Sequence, residues 1–88
     1  MGKWIAKLPS KDVALHGFGA AVRKLREDKE LTQEQLAEFS EMHVTYISQI
    51  ERGIKNLSLF NIVRVAHALG VSPAELFAVA ETVRQPAR

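Results

Sequence analysis

Residues 31–53 read LTQEQLAEFSEMHVTYISQIERG, and this stretch decides the fold. Thr32-Gln33-Glu34-Gln35 is a Thr-x-x-Gln capping box, in which the threonine hydroxyl and the Gln35 amide satisfy orphan N–H groups at a helix start. Leu36 and Ala37 then point inward, and the helix runs to about Ser40. A second short helix follows from near Val44, with Ile47 and Ile50 inward and Gly53 as its C-terminal glycine. Helices this short are not stable alone, so each needs a partner. Ala37 sits where the two cross, and a larger side chain there would wedge them apart.

Working outward, residues on the N-terminal side become helical from about Val13, with Phe18, Val22 and Leu25 on one stripe. Gly17 and Gly19 weaken the start of that helix, so its regular part is expected after them. The Gly-Phe-Gly run has no preceding strand and lacks a third glycine, so it fails as a phosphate loop. Residues 1–14, with Pro9 and the lone Trp4, read as an arm. On the C-terminal side Ser58 caps a fourth helix whose expected stripe is Leu59, Ile62, Val63, Ala66 and Leu69, closed by Gly70. Ser72-Pro73 with Glu75 is a second capping box and starts a fifth helix. Residues 84–88 fray. No run alternates with period two, so the predicted fold is all-α: five helices in one domain over residues 15–83, with the helical pair at about 32–52.

Composition sets the outer limits. The chain has 88 residues, 47% apolar and 25% charged, enough for one small core. No window approaches eighteen consecutive apolar residues, which argues against a membrane span, and no apolar block with a small-residue cleavage site follows the N-terminus. The absence of cysteine excludes disulfides and thiolate chemistry, and a cytoplasmic setting is expected. Net charge is only +2, but it is unevenly placed. Residues 1–30 carry seven Lys/Arg against four Asp/Glu, residues 31–51 carry four glutamates and no Lys or Arg, and residues 52–88 carry five Lys/Arg against two glutamates. His16, His43 and His67 have no ligand-spaced companions, so neither a metal nor another cofactor is expected. Glu34 and Glu38 share a face without a nucleophile or histidine beside them, and no enzymatic set is found. No small-molecule site is evident.

The outer face of the second short helix is the informative surface. It presents Val44, Thr45, Ser48 and Gln49, with Tyr46 at the edge and Arg52 at the end. These are short or uncharged groups that donate and accept hydrogen bonds and carry methyls, the chemistry that reads base edges in a DNA major groove.

With its continuations Ile54-Lys55-Asn56-Leu57-Ser58-Leu59 and Ala68-Leu69-Gly70-Val71-Ser72, the stretch resembles the Cro/repressor-type helix-turn-helix family over roughly residues 18–77. The blocks T-Q-E-Q-L-A, Y-I-S-Q-I-E-R-G and A-L-G-V-S occur in order at the family spacing. The resemblance implies a compact five-helix, lambda-repressor-like domain that binds double-stranded DNA as a homodimer on a palindromic operator and regulates transcription. Phage repressors and restriction–modification controllers are the nearest types. It implies base contacts from Val44, Thr45 and Gln49, and flanking or backbone contacts from Gln33, Tyr46, Ser48, Arg52, Lys55 and Asn56, with Arg23 or Lys24 as further phosphate candidates. It also implies a structural ion pair between Arg26 and Glu51.

The chain departs from the family pattern at Glu41, where glycine is usual, at His43 in place of a Ser/Thr cap, at Val44 in place of a polar reader, and at Leu57 in place of proline. The apolar run Leu76, Phe77, Val79, Ala80 and Val83 on the last helix exceeds what a small core needs and is the expected dimer face. The short chain leaves no room for a sensor domain, so control through its own concentration is expected. An antitoxin that also binds its operator is the alternative reading.

Overall fold

The computed structural model describes residues 8–84. Among the described residues there are five helices and no strand: α1 Lys11–Asp28, α2 Gln33–Ser40, α3 Val44–Glu51, α4 Leu59–Leu69 and α5 Pro73–Arg84. The expected arm therefore ends sooner than residue 14. Ser10 caps α1, its hydroxyl accepting from the Val13 N–H at 3.1 Å, and residues 11–14 form the first turn. The regular helix does not wait for Gly17 and Gly19. Trp4 and the expected C-terminal fray, beyond residue 84, lie outside the described residues.

The starts of α2 to α5 carry the caps read from the sequence, whereas the Ser10 cap of α1 is not among them. Thr32 and Gln35 exchange bonds of 3.0 and 2.8 Å, and Ser72 and Glu75 exchange bonds of 3.0 and 3.1 Å. Ser58 accepts from the Asn61 N–H at 3.2 Å. His43 serves as the cap of α3 through its ring, Nδ1 accepting from the Thr45 N–H at 3.2 Å.

The helix ends share one device. Glu30, Glu41, Gly53 and Gly70 all adopt left-handed backbone, with φ of 58, 57, 76 and 74°. Behind each, an N–H reaches back to close the last turn: Leu31 to the Arg26 carbonyl, Met42 to Ala37, Ile54 to Gln49 and Val71 to Ala66, at 2.9–3.1 Å. Glycine takes this conformation freely, whereas Glu30 and Glu41 hold it against the clash of their own Cβ.

The core draws on every helix. Ala21 and Val22 of α1, Leu36 and Ala37 of α2, Ile47 and Ile50 of α3, Val65, Ala66 and Leu69 of α4 and Leu76 of α5 are buried, and Phe18 closes the edge. Each fully buried Leu, Ile or Val contributes about 1.5–3 kcal/mol. α1 is the central strut, lying along α5 and crossing α3, while α2 packs on both α3 and α4. No single described helix is long and apolar enough to cross a membrane.

Two apolar stripes differ from expectation. In α4 the inward face is Ile62, Val65, Ala66 and Leu69, whereas Leu59 and Val63 are 76% and 41% exposed, together with Phe60 at 68%. That helix is apolar nearly all round, so its rotation is set by Ser58, by Gly70 and by what α2 and α5 cover. In α5 the expected dimer face is largely consumed within the chain. Leu76 has no exposed surface, Val79, Ala80 and Val83 pack partly against the core, and only Phe77 stands half out, tilted on Phe18 with centroids 5.8 Å apart. The cause is the long side-by-side packing of α5 on α1, which uses the stripe.

Candidate nucleic-acid interface

The α3 helix is held from beneath by Ile47 and Ile50 and drawn against α1 at a point where only glycine fits. A Cβ on Gly19 would lie 2.2 Å from the Ile50 carbonyl oxygen and 2.9 Å from that of Glu51. One on Gly53 would lie 2.8 Å from Cγ of His16. The close approach seats the last turn of α3 on α1 and leaves its opposite face outward.

A charged lock secures the same turn. Arg26 donates from Nε to Glu51 Oε2 at 2.6 Å and from Nη2 to Oε1 at 3.0 Å, while Nη1 donates to the Leu31 carbonyl at 2.8 Å. Both side chains are largely covered, 11% exposed for Arg26 and 3% for Glu51. The hydrogen bonds that Arg26 donates to Glu51 raise its pKa above its already high ordinary value, so the guanidinium stays charged throughout the neutral range. Gln33 joins the lock, donating from Nε2 to Glu51 Oε1 at 3.0 Å. Its side chain thus turns onto the pair at the start of α2, and one amide hydrogen is committed there. What Gln33 retains to offer a phosphate is its remaining amide N–H, beside the positive end of the helix.

Along the outer face of α3, Thr45 is exposed, and Ser48 and Gln49 are half-buried. Among the described residues no hydrogen bond occupies the side chain of Thr45, Ser48 or Gln49, so their polar groups stay available. Val44 leans partly onto the core, which leaves it less surface for apolar contact than the sequence suggests. Arg52 and Asn56 are exposed after α3, and Lys55 places Nζ 5.6 Å from the centroid of the Tyr46 ring.

The turn between α2 and α3 rests on a residue that sequence reasoning missed. Arg64 of α4 donates from Nε to the Ser40 carbonyl at 3.1 Å and from Nη2 to the Glu41 carbonyl, capping the negative end of α2 with a cation. Its Nη1 donates to Asn61 Oδ1 at 3.1 Å, and Asn61 Nδ2 donates to the Tyr46 hydroxyl at 3.2 Å. The one sign in the sequence is that Arg64 is the sole Lys or Arg between Lys55 and Arg84. A lone Lys or Arg on a mostly apolar helix needs carbonyls or carboxylates to face.

Positive side chains follow this polar face directly, at Arg52 and Lys55, whereas Arg23 and Lys24 stand exposed on α1, paired with Glu27 and Asp28 at i, i+4. Such a face suits a ligand that offers phosphates at its edges and hydrogen-bonding groups at its centre.

Comparison with known proteins agrees with this geometry. The helix-turn-helix family model matches residues 22–76. The chain is 50% identical over 60 residues to the control protein C.BamHI of Bacillus amyloliquefaciens, covering 67% of this chain and 74% of that one. It superposes on the crystal structure of the restriction-modification controller protein C.AhdI from Aeromonas hydrophila with a TM-score of 0.70 and 46% identity, over 72% of this chain and 96% of that one. It also superposes on the controller protein C.Esp1396I, solved as a tetramer in complex with its natural 35 base-pair operator, with a TM-score of 0.73 and 34% identity over 77% and 90% of the two chains. Five helices in this order, a pair of short ones clamped on α1 and α4 and relatives of this kind lead to one assignment: the chain belongs to the Cro/repressor-type helix-turn-helix family of DNA-binding transcriptional regulators.

Proposed function

We propose that the chain is a sequence-specific regulator that binds a palindromic operator in double-stranded DNA as a homodimer and controls its own promoter, in the manner of restriction–modification controllers. The observation that carries this reading is the outer face of α3, where Thr45, Ser48 and Gln49 keep free hydrogen-bonding groups on a helix locked by Arg26, Glu51 and Gly19. Gln49 suits adenine, whose N7 accepts from the amide N–H and whose N6 amino group donates to the amide oxygen, and the Thr45 methyl suits a thymine methyl. Arg52, Lys55, Asn56 and the start of α2 at Gln33 would hold phosphates and set the register, while Val44, Tyr46 and Ser48 would touch flanking groups. C.BamHI and C.AhdI, both named as controllers, support the regulatory setting, and the operator complex of C.Esp1396I supports the DNA ligand.

A palindrome calls for two copies related by a two-fold axis. Since α5 spends most of its stripe on α1, we assign the self-contact to apolar side chains left outside, Leu59, Phe60 and Val63 of α4 and the half-exposed Phe77 of α5. Two reading helices would then enter successive major-groove faces, half-sites about 10 bp apart or a multiple of it.

Sedimentation of the protein with an operator duplex tests the assembly. Two chains per duplex, reduced to one by Phe60→Asp, is the expected result. A single chain on the duplex at saturation, or a Phe60→Asp dimer of unchanged strength, contradicts the proposed mode.

A further inference from the structure

The polar chain from α4 to α3 has a direction set by chemistry. Arg64 has only donors, so the Asn61 atom facing its Nη1 at 3.1 Å must be the amide oxygen. The Asn61 amide nitrogen is then the atom facing Tyr46, 3.2 Å from the phenol oxygen, and it donates. The phenol oxygen is thereby an acceptor toward α4, and its own proton is released to point elsewhere. Among the described residues no acceptor takes that proton.

The chain is also anchored. Arg64 cannot swing, because its other nitrogens hold the Ser40 and Glu41 carbonyls at the end of α2. Asn61 lies in the first turn of α4, whose start is set by the Ser58 cap. The Tyr46 ring is half-buried and has Lys55 Nζ 5.6 Å from its centroid, so the ring too has a defined place. A phenol alone is both donor and acceptor and can read either kind of group. This one is left with one role.

We propose that Asn61 and Arg64 are positioning residues that fix the Tyr46 phenol as a one-way hydrogen-bond donor, delivering its proton to an acceptor on the DNA, either a phosphate oxygen or an acceptor atom of a base edge. The inference rests on the α3 surface being the DNA-binding face. It makes the selectivity of residue 46 a property of α4 as much as of α3.

Two arms test it. In the free protein, Tyr46 is the single tyrosine, so its Cζ resonance reports the phenol without ambiguity. Asn61→Ala and Asn61→Asp should each move that resonance, while Asn61→Ala leaves the thermal midpoint nearly unchanged. A resonance that stays in place in both variants overturns the Asn61–Tyr46 link.

The second arm is a double-mutant cycle on a duplex recovered by selection. Asn61→Asp puts an acceptor where the donor was, so the phenol turns its proton inward and is lost to the DNA. It should weaken binding at least threefold more in the wild-type background than in the Tyr46→Phe background, where only the added charge acts. Equal losses in the two backgrounds, or a Tyr46→Phe protein that binds as tightly as wild type, overturn the proposal. A Tyr46→Phe loss of the same size on a scrambled duplex assigns the acceptor to a phosphate, and a loss confined to the selected duplex assigns it to a base edge. If the wild-type protein fails to prefer any duplex, the DNA-reading function falls, and the resonance of Tyr46 still decides the internal link.

Discussion

Gly19 of α1 and Ile50 of α3 meet backbone to backbone, close enough that a Cβ on residue 19 would lie 2.2 Å from the Ile50 carbonyl oxygen. No side-chain rotation relieves such a clash, because the opposing atom belongs to the main chain. Gly19→Ala is therefore expected to push α3 off α1 and to destabilise the fold by about 1–3 kcal/mol despite alanine's better helix propensity. Urea unfolding measures this; a variant as stable as wild type would show that the two helices do not sit this close.

The Arg26–Glu51 pair should respond very differently to single and to double replacement. Removing one partner leaves a covered charge unpaired, so Arg26→Ala or Glu51→Ala should each cost about 3–5 kcal/mol. Replacing both with apolar residues of similar volume, Arg26→Met with Glu51→Leu, should cost much less than the sum. Additive losses in the unfolding cycle would mean that the pair is solvated.

Glu30 and Glu41 hold left-handed backbone with a side chain attached. Glycine removes the Cβ clash at the price of some chain entropy, and Arg64 grips the Glu41 carbonyl, which glycine keeps. Glu30→Gly and Glu41→Gly should each stabilise by about 0.5–1 kcal/mol, additively because they cap different helices. Thermal denaturation gives the answer, and a lowered midpoint in both would contradict the strain.

These positions also show how far the sequence could be read. The two capping boxes, the glycines at 53 and 70 and the apolar pairs Leu36/Ala37 and Ile47/Ile50 are local signals, each needing only a few neighbouring residues, and they placed four helices within a residue or two of where they lie. The Arg26–Glu51 pair joins residues 25 apart and was legible only through family likeness. What depends on tertiary rotation was not legible. Leu59 and Val63 look as apolar as Val65, and only the packing of α2 and α5 decides which of them is buried. For the same reason the apolar run of α5 reads as a dimer face from sequence alone, although Leu76 within it is completely covered. Gly19 signalled a weak helix when it marks a close crossing. The Arg64 clamp brings residues 23 and 24 positions apart onto one guanidinium, and no local pattern announces it.

At the edge of the reading face, Lys55 is assigned a phosphate contact. Lys55→Ala should weaken binding by a similar factor on every duplex and reduce the slope of log affinity against log salt by about 1. An unchanged slope removes Lys55 from the backbone contacts and leaves it only its place over the Tyr46 ring.

Whether the free groups on α3 read DNA sequence is decided by selection from a random duplex pool, run in parallel with wild type and Gln49→Ala. The wild-type protein should enrich a two-fold symmetric motif with half-sites about 10 bp apart or a multiple of it. Gln49→Ala should enrich the same motif with one position in each half-site relaxed, and should bind the wild-type motif about 1–3 kcal/mol more weakly. A pool that shows no enriched sequence, or a Gln49→Ala motif identical at every position to that of wild type, would mean that α3 does not read bases through Gln49.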